Sequence, residues 1–278
     1  MWVFLVRVQA RQQPRRSRRS LSSPSSNHPK SPPTLFLQHS RLLKLKLKLK
    51  LTPVIPGRLL VVGTPIGNLS DLSPRAREAL TLADLVAAED TRRSGLLLQH
   101  LGVKKPFLSY QKFNEASREA VLLDRLRGGQ TIALVTDGGM PGISDPGERL
   151  IRAARRENLP VEVIPGPSAV LHALVASGLP ALPFYFGGFL PPKPGPRKKE
   201  LAAAAAREHT SVYFESPHRI ARALAEAAET LPAESRIAVC RELTKKFEEV
   251  FVGSPAEAAA RFGENTKGEI TLVISPLG

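Results

Sequence analysis

Three short apolar runs in this chain each stop in a turn crowded with glycine and proline: LLVVGTPIGN from Leu59, IALVTDGGMPGISDPG from Ile132 and VEVIPGPSA from Val161. Such a turn at the carboxyl end of a buried strand can hold a ligand through main-chain N–H and C=O groups, because glycine carries no Cβ to keep the ligand off. One turn of this kind more often just punctuates a loop. Three in one half of the chain point instead to a shared cradle. The binding they offer is uncharged, because the usual phosphate signatures are missing: GTPIGN lacks the GxGxxG spacing, and no GK[ST] follows a glycine-rich loop. There is no HExxH, no Cys/His spacing for a metal and no serine nucleophile elbow, and the six histidines are scattered.

Each turn needs a buried strand before it. Residues 59–62, 132–135 and 161–164 are near-continuous apolar runs, and runs without alternation suit a parallel sheet buried on both faces. After the first turn, Ser73 and Pro74 predict an N-cap with proline at the first helical position, and a helix to about Leu82. ADLVAA predicts a strand ending at Glu89 and Asp90. Asp90 or Thr91 then caps a helix with the stripe Leu96, Leu97, Leu98 and Leu101, closed by Gly102. Asn114 caps a third helix running to Gly128 and Gly129. In the second turn Asp145, Pro146, Gly147 and Glu148 resemble a capping box that starts a helix carrying Leu150, Ile151 and Ala154 toward the sheet. Alternation of strand and helix through Ile164 predicts a doubly wound parallel sheet.

Beyond the third turn, residues 168–177 read as a helix closed by Gly178, and FYFGGF from Phe184 as a strand. LPPKPGPRKK reads as a flexible linker or an exposed loop over the site. An Ala-rich helix from Lys199, a strand over 211–214 and a helix opened by Ser216 and Pro217 follow. Then come a strand over 236–240, an extended segment over 247–252, a capping box from Ser254 to Glu257 and a last strand over 270–274. The chain therefore reads as two α/β domains, residues 57–167 and 168–278, meeting near residues 165–180. Before them lies a basic disordered extension, residues 1–56.

That extension is a different material. It holds twelve of the 40 Lys and Arg and none of the 25 Asp and Glu, so residues 57–278 carry a net charge of only +3 where the whole chain carries +15. The high isoelectric point belongs to the tail, and total charge is no argument for nucleic-acid binding by the rest. Ser-rich, Arg-rich and acid-free composition fits an organellar transit peptide. KLKLKLKL from Lys44 also fits a basic amphipathic strand on a membrane or nucleic acid, and an upstream segment joined to a start near Val54 is a third reading. No apolar stretch approaches the roughly 20 residues a transmembrane helix needs. The lone Cys240, inside RIAVC, reads as a core residue, excludes an internal disulfide or a Cys-based zinc site, and fits a reducing compartment.

Read in order, LLVVGTPIGNLSDLSPRAREAL, AAEDTRRSGLLL, SYQKFNEASRE, ALVTDGGMPGISDPG, EVIPGPSAVLHALVASGL, FYFGGFLPPK, YFESPHRI, RELTKKFEE and KGEITLVI closely resemble the ribosomal RNA small subunit methyltransferase I family. That family is a branch of the tetrapyrrole (corrin/porphyrin) methylase superfamily. The resemblance covers residues 59–274. It implies two α/β domains of tetrapyrrole-methylase type in a kidney-shaped homodimer, with S-adenosylmethionine in the cleft between the domains and no metal. The reaction it implies is methyl transfer to the ribose 2′-hydroxyl of a cytidine in the decoding region of small-subunit (16S) rRNA, on free RNA or the 30S subunit. Bacterial phrasing of these segments implies a cytoplasmic enzyme, a chloroplast or mitochondrion being the alternative if the tail is a transit peptide.

Carried over by position, the cofactor-binding residues are Gly63, Thr64, Pro65, Gly67 and Asn68 in the first turn and Asp137, Gly139, Pro141, Gly142, Ile143 and Asp145 in the second. Pro165, Gly166, Pro167, Ser168 and Ala169 supply the third. The chain departs from the family's usual DAGTP, with Gly138 in place of Ala and Met140 in place of Thr. Methyl transfer from a sulfonium is an in-line displacement that gains from orientation and exclusion of water, yet a ribose hydroxyl is a poor nucleophile and its proton needs a destination. Asp90, Glu115, Asp137, Glu215, His218 and Glu242 are candidates, each in a family-like segment at an element end. Helix capping, or pairing with Arg92, Arg93, Arg219 or Lys245, is the plainer role for each. Arg92, Arg93, Lys193, Arg197, Lys198, Lys199 and Arg219 are the candidates for RNA phosphates. Two competing readings are a methylase of a small tetrapyrrole-like molecule and a non-catalytic RNA-binding protein of the same fold.

Overall fold

The computed structural model describes residues 56–263 and 265–275. The basic extension expected over residues 1–56 lies, apart from Pro56, outside them. The first sheet is built from β1 (Leu59–Val62), β2 (Leu85–Ala88), β3 (Phe107–Ser109), β4 (Ile132–Val135) and β5 (Val161–Ile164), in the order β3-β2-β4-β1-β5 and parallel throughout. Every residue of β1, β2 and β4 is buried, as their lack of alternation requires. The short edge strand β3 was not expected from the sequence.

Helices α1 (Pro74–Leu82) and α2 (Thr91–His100) cover one face, packing Ala76, Leu80, Leu97 and Leu98 on Leu60, Val62, Val86 and Val135. Helices α3 (Glu115–Arg127) and α4 (Glu148–Arg156) cover the other, with Leu122, Leu126 and Leu150 on Leu59, Val61, Ile132 and Leu134. The chain leaves β1 toward one face and the neighbouring β4 toward the other. A crevice therefore opens between their carboxyl ends, the place where open α/β sheets bind ligands.

Several helix starts differ from expectation for local reasons. Ser73 caps α1 by accepting from Ala76 N–H, and Asp90 caps α2 by accepting from Arg92 N–H. Leu96 is 67% exposed, however, so the buried stripe of α2 is Leu97 and Leu98. Asn114 turns its Oδ1 to Gln111 N–H instead of capping α3. Asp145 does not cap α4 either. That helix starts at Glu148 after Gly147, whose φ of 140° suits glycine and whose N–H donates to Glu115 Oε1 at 2.9 Å.

The second sheet holds β6 (Phe184–Phe189), β7 (Thr210–Glu215), β8 (Arg236–Arg241), β9 (Glu249–Gly253) and β10 (Ile270–Ser275), in the order β6-β7-β10-β8-β9. Only β6 and β7 run parallel; the other pairs are antiparallel. Helix α5 (Ala169–Ser177), capped by Ser168 and ended by Gly178 at φ 64°, packs Val170, Ala173 and Leu174 on one face. Helices α6 (Pro194–Ala206), α7 (Ile220–Thr230) and α8 (Pro255–Arg261) cover the other. The capping box at Ser254 and Glu257 is present.

The segment expected as a flexible loop, LPPKPGPRKK, instead contains the start of α6. Proline's fixed φ suits the first helical turn, so Pro194 begins the helix five residues before Lys199. This overturns the phosphate-binding expectation for Arg197. Its side chain is 1% exposed, Nε and Nη2 each donate to Glu226 at 2.8 Å, and Nη1 donates to the Pro191 and Pro192 carbonyls. Likewise α7 begins at Ile220, three residues beyond Pro217.

Candidate functional site

The three glycine-proline turns meet because β1 lies between β4 and β5, and they are locked together by main chain. Gly63 N–H donates to the Ile164 carbonyl at 3.0 Å, and a Cβ on Gly63 would fall 2.6 Å from Gly166 N and from Met140 Sδ. Thr64 and Gly139 exchange two hydrogen bonds of 3.0 Å, and Thr64 Oγ1 donates to the Thr136 carbonyl at 3.1 Å. Gly63, Thr64 and Gly166 thus join the turns to one another and do not line the space they enclose.

That space is a cavity of about 800 Å³, within the roughly 300–1,000 Å³ range of small-molecule sites. On the side of the first sheet it is lined by Pro65, Ile66, Gly67, Glu89, Arg93, Asp137, Gly138, Gly139, Met140, Ile143 and Asp145. Ser168, Ala169 and Val170 at the start of α5 form its floor, and the second sheet supplies Phe189, Phe214, Glu215, Ser216, Cys240, Lys245, Glu269 and Thr271. Of the residues expected to bind a cofactor, Pro65, Gly67, Asp137, Gly139, Ile143, Asp145, Ser168 and Ala169 line it. Asn68 caps a 3₁₀ turn, Leu69–Asp71, through Ser70 N–H. Gly142 N–H donates to the Pro146 carbonyl. Pro141, Pro165 and Pro167 flank the cavity without lining it.

Five carboxylates and His218 were expected as candidate proton acceptors, and of these only Asp137 and Glu215 belong to residues that line the cavity. Asp137 is pushed up by burial, although its Oδ1 accepts from Asp90 N–H at 3.1 Å and it faces Arg93 at 3.4 Å. Glu215 is also pushed up by burial. Its Oε1 accepts from Ser216 N–H at 2.6 Å and pairs with Arg219 at 2.5 Å, while the buried Oε2 has no partner.

The other four lie elsewhere. The hydrogen bond from the Arg92 side chain holds Asp90 down to about 2. Glu115 caps α4, and His218 is exposed. Burial acts to raise Glu242, but Lys245 Nζ at 2.8 Å and Glu269 N–H at 2.9 Å hold it low.

Three further carboxylates, Glu89, Asp145 and Glu269, complete the lining. Glu89, which the sequence marks only as the residue before Asp90, is pushed up by burial. Asp145 receives no hydrogen bond or ion pair from the described residues, and burial, then repulsion from Glu89, pushes it up to about 6. Among the cations, Arg93 and Lys245 line the cavity, Lys193, Lys198 and Lys199 are exposed near the start of α6, and Lys198 pairs with Glu229 at 2.7 Å. Cys240 is both a core residue and part of the wall, its thiol pushed up to about 12 by burial. Phe189 and Phe214 were missed because alternation in FYFGGF and SVYFES does not show which side chains face a cleft.

Five acidic residues against Arg93 and Lys245, beside apolar side chains and open main chain, suit a small organic cation. Residues 58–259 match the family described as Tetrapyrrole (Corrin/Porphyrin) Methylases. The chain is 47% identical over 220 residues to the ribosomal RNA small subunit methyltransferase I of Synechocystis sp., covering 79% of each. It is 47% identical over 221 residues to the protein of the same name from Mycobacterium tuberculosis, covering 79% of this chain and 78% of that one. Among solved structures, uroporphyrin-III-C-methyltransferase from Thermus thermophilus superposes with a TM-score of 0.58 at 24% identity, over 79% of this chain and 94% of that one.

Proposed function

Because the chain belongs to the tetrapyrrole (corrin/porphyrin) methylases and, within them, to the ribosomal RNA small subunit methyltransferase I family, we propose that it methylates the ribose 2′-hydroxyl of a cytidine in the decoding region of small-subunit rRNA. It is an S-adenosylmethionine-dependent methyltransferase. The residues present fit that cofactor. Glu89, Asp137 and Asp145 offer negative charge to a sulfonium and an α-ammonium, and Gly67, Gly138 and Gly139 leave main chain open. A Cβ on Gly67 would lie 2.4 Å from Lys245 Cγ, so a side chain there would close the cradle. Pro65, Gly67, Asp137, Gly139, Ile143, Asp145, Ser168 and Ala169 are the residues that would hold it. When bound, S-adenosylmethionine supplies an activated methyl group on a good leaving group.

The protein's own part is orientation, exclusion of water by Ile66, Val170 and Leu243, and reception of a proton. Asp145 is the carboxylate best suited to that proton, because it is unpaired and its pKa lies close to neutral pH. Lys193 and Lys199, exposed and without an ion pair among the described residues, are best placed for RNA phosphates; Arg92, Arg93 and Lys198 are exposed but pair with Asp90, Asp137 and Glu229, and Arg219 is held by the buried Glu215. The packing of α5 on the second sheet supports a domain division at residues 167 and 168. Leu171 and Val175, one turn apart on α5, and Leu182 are exposed and apolar, which supports a homodimer to be checked by sedimentation. The enzyme acts in the bacterial cytoplasm, or in an organelle if the basic extension is a transit peptide, and N-terminal sequencing of the native protein distinguishes the two.

The observation that carries this reading is identity of 44–47% across about four-fifths of relatives that share one printed name. Mass spectrometry of rRNA from cells with and without the gene tests substrate, position and chemistry together. Labelled cofactor offered with undermethylated small subunits and with precorrins must label the RNA; label in the small molecule alone ends the reading.

A further inference from the structure

Resting on the RNA reading above, we propose that Lys245 is a catalytic residue: its ammonium donates a hydrogen bond to the ribose 2′ oxygen that receives the methyl group. The RELTKKFEE turn that carries it is strained. Glu242 has a φ of 52° and Thr244 a φ of 66°, left-handed values that are uncommon in residues with a side chain and persist where surrounding contacts impose them. Here the contact is with the first glycine-proline turn. A Cβ on Gly67 would lie 2.4 Å from Lys245 Cγ and 2.7 Å from Thr244 Oγ1. The strained turn therefore reaches from the second sheet to the cofactor cradle, and Lys245 lines the cavity.

The charged end of Lys245 is fixed on the cavity face. Thr271 of β10 lines the cavity beside Cys240, its partner across the strands. Residues two apart along a strand share a face. Glu269, two before Thr271, lines the cavity as well, and its repulsion is felt by both Asp137 and Asp145 on the opposite wall. Lys245 Nζ donates to Glu269 Oε2 at 2.9 Å and to Glu242 Oε1 at 2.8 Å. An ammonium has three donors, and the third has no acceptor among the described residues. Burial acts to lower Lys245, but hydrogen bonds to the two carboxylates raise it, so the amine stays charged and serves as a donor.

Charge then selects the partner. Two carboxylates on one ammonium leave the cluster net negative, which repels a phosphate or a methionine carboxylate but still offers an N–H to a neutral hydroxyl. As the ribose O2′–methyl bond forms, the methyl–sulfur bond breaks with its electron pair left on sulfur. The hydroxyl proton passes to Asp145, and Lys245 keeps its three protons. A positive group already in place steadies the negative charge that develops on the oxygen, with no rearrangement at the moment of reaction.

The test is single-turnover methylation of undermethylated small subunits with saturating labelled S-adenosylmethionine, alongside cofactor affinity by calorimetry and subunit affinity by filter binding. In Lys245→Met the rate is expected to fall by about 10²- to 10³-fold with both affinities unchanged. Lys245→Arg keeps the two carboxylates paired, and so preserves the fold if the Met variant does not. Its planar fork sets the donors elsewhere, and the expected rate is about tenfold below wild type. A wild-type rate in Lys245→Met, or in Lys245→Arg if the Met variant does not fold, overturns the proposal and leaves Lys245 as a brace for the Gly67 turn. Weaker cofactor binding that saturation repairs assigns the ammonium to the methionine carboxylate, and weaker subunit binding that saturation repairs assigns it to a phosphate; either result overturns the proposal too. A wild-type protein that transfers no methyl to undermethylated small subunits defeats the functional reading itself, and the role of Lys245 falls with it.

Discussion

Asp145 stands in the cavity with no ion pair, its carboxyl pushed by burial from 3.8 up to about 6. Between those values the folded chain keeps a proton that the unfolded chain has released, so stability falls as pH rises through that window. Asp145→Asn removes the loss. The variant is expected to unfold at higher temperature than the parent at about pH 7, by an amount worth about 1–3 kcal/mol, with the two melting curves converging below about pH 4. Activity should move the other way. If Asp145 takes the hydroxyl proton, the parent's rate rises with pH through about 6, and Asp145→Asn lowers kcat by about 10²- to 10⁴-fold and flattens that limb. A variant that is more stable and fully active would send the proton elsewhere, to Glu89 or Asp137 first, the other two cavity carboxylates of the first sheet that burial pushes up. Nothing in the sequence marks Asp145 for this state, because DPGE reads as a helix cap. Only the positive φ at Gly147 moves the helix start past it.

Turns and helices carry their own expectations. Gly63→Ala would place a Cβ 2.6 Å from the backbone N of Gly166, an atom that cannot swing aside, so two of the three turns must part. The cost expected from urea unfolding is about 1–3 kcal/mol, together with loss of cofactor binding. Gly95 is the contrast. A Cβ there meets nothing within 4 Å in the middle of α2, so Gly95→Ala should stabilise by about 0.5–1 kcal/mol and leave binding intact. A glycine's surroundings therefore decide its role, and the sequence displays only its presence. The same limit explains α6. Pro194 and Pro196 argue for a loop by composition, while the partner that fixes the helix, Glu226, lies on α7. Arg197→Met is expected to cost about 3–5 kcal/mol by leaving Glu226 buried and unpaired. A stable variant with weakened RNA binding would restore Arg197 to the RNA surface. Strand assignments fared better because β1, β2 and β4 are buried on both faces, so apolar runs alone identify them.

At the scale of the molecule, half of the cavity was legible and half was not. The turns after β1, β4 and β5 announce a cradle, and parallel pairing on either side of β1 brings them together. The opposite wall is drawn from Phe189, Phe214, Cys240, Lys245 and Thr271, residues spread over five segments that meet through the antiparallel pairing of β10 with β7 and β8. No local pattern encodes that meeting. Charge is distributed just as unevenly: residues 57–278 hold +3 of the chain's +15, and every residue placed in the cavity. Deleting residues 1–56 should therefore leave kcat on undermethylated small subunits unchanged. RNA affinity is the sharper measure, because each phosphate neutralised on a single strand contributes about −0.7 to the slope of log affinity against log salt. If the tail takes no part in recognition, the truncated and full chains share one slope. A slope that flattens by several units on truncation would make the extension an RNA arm, with the folded domains supplying the methyl-donor site and the tail supplying most of the grip.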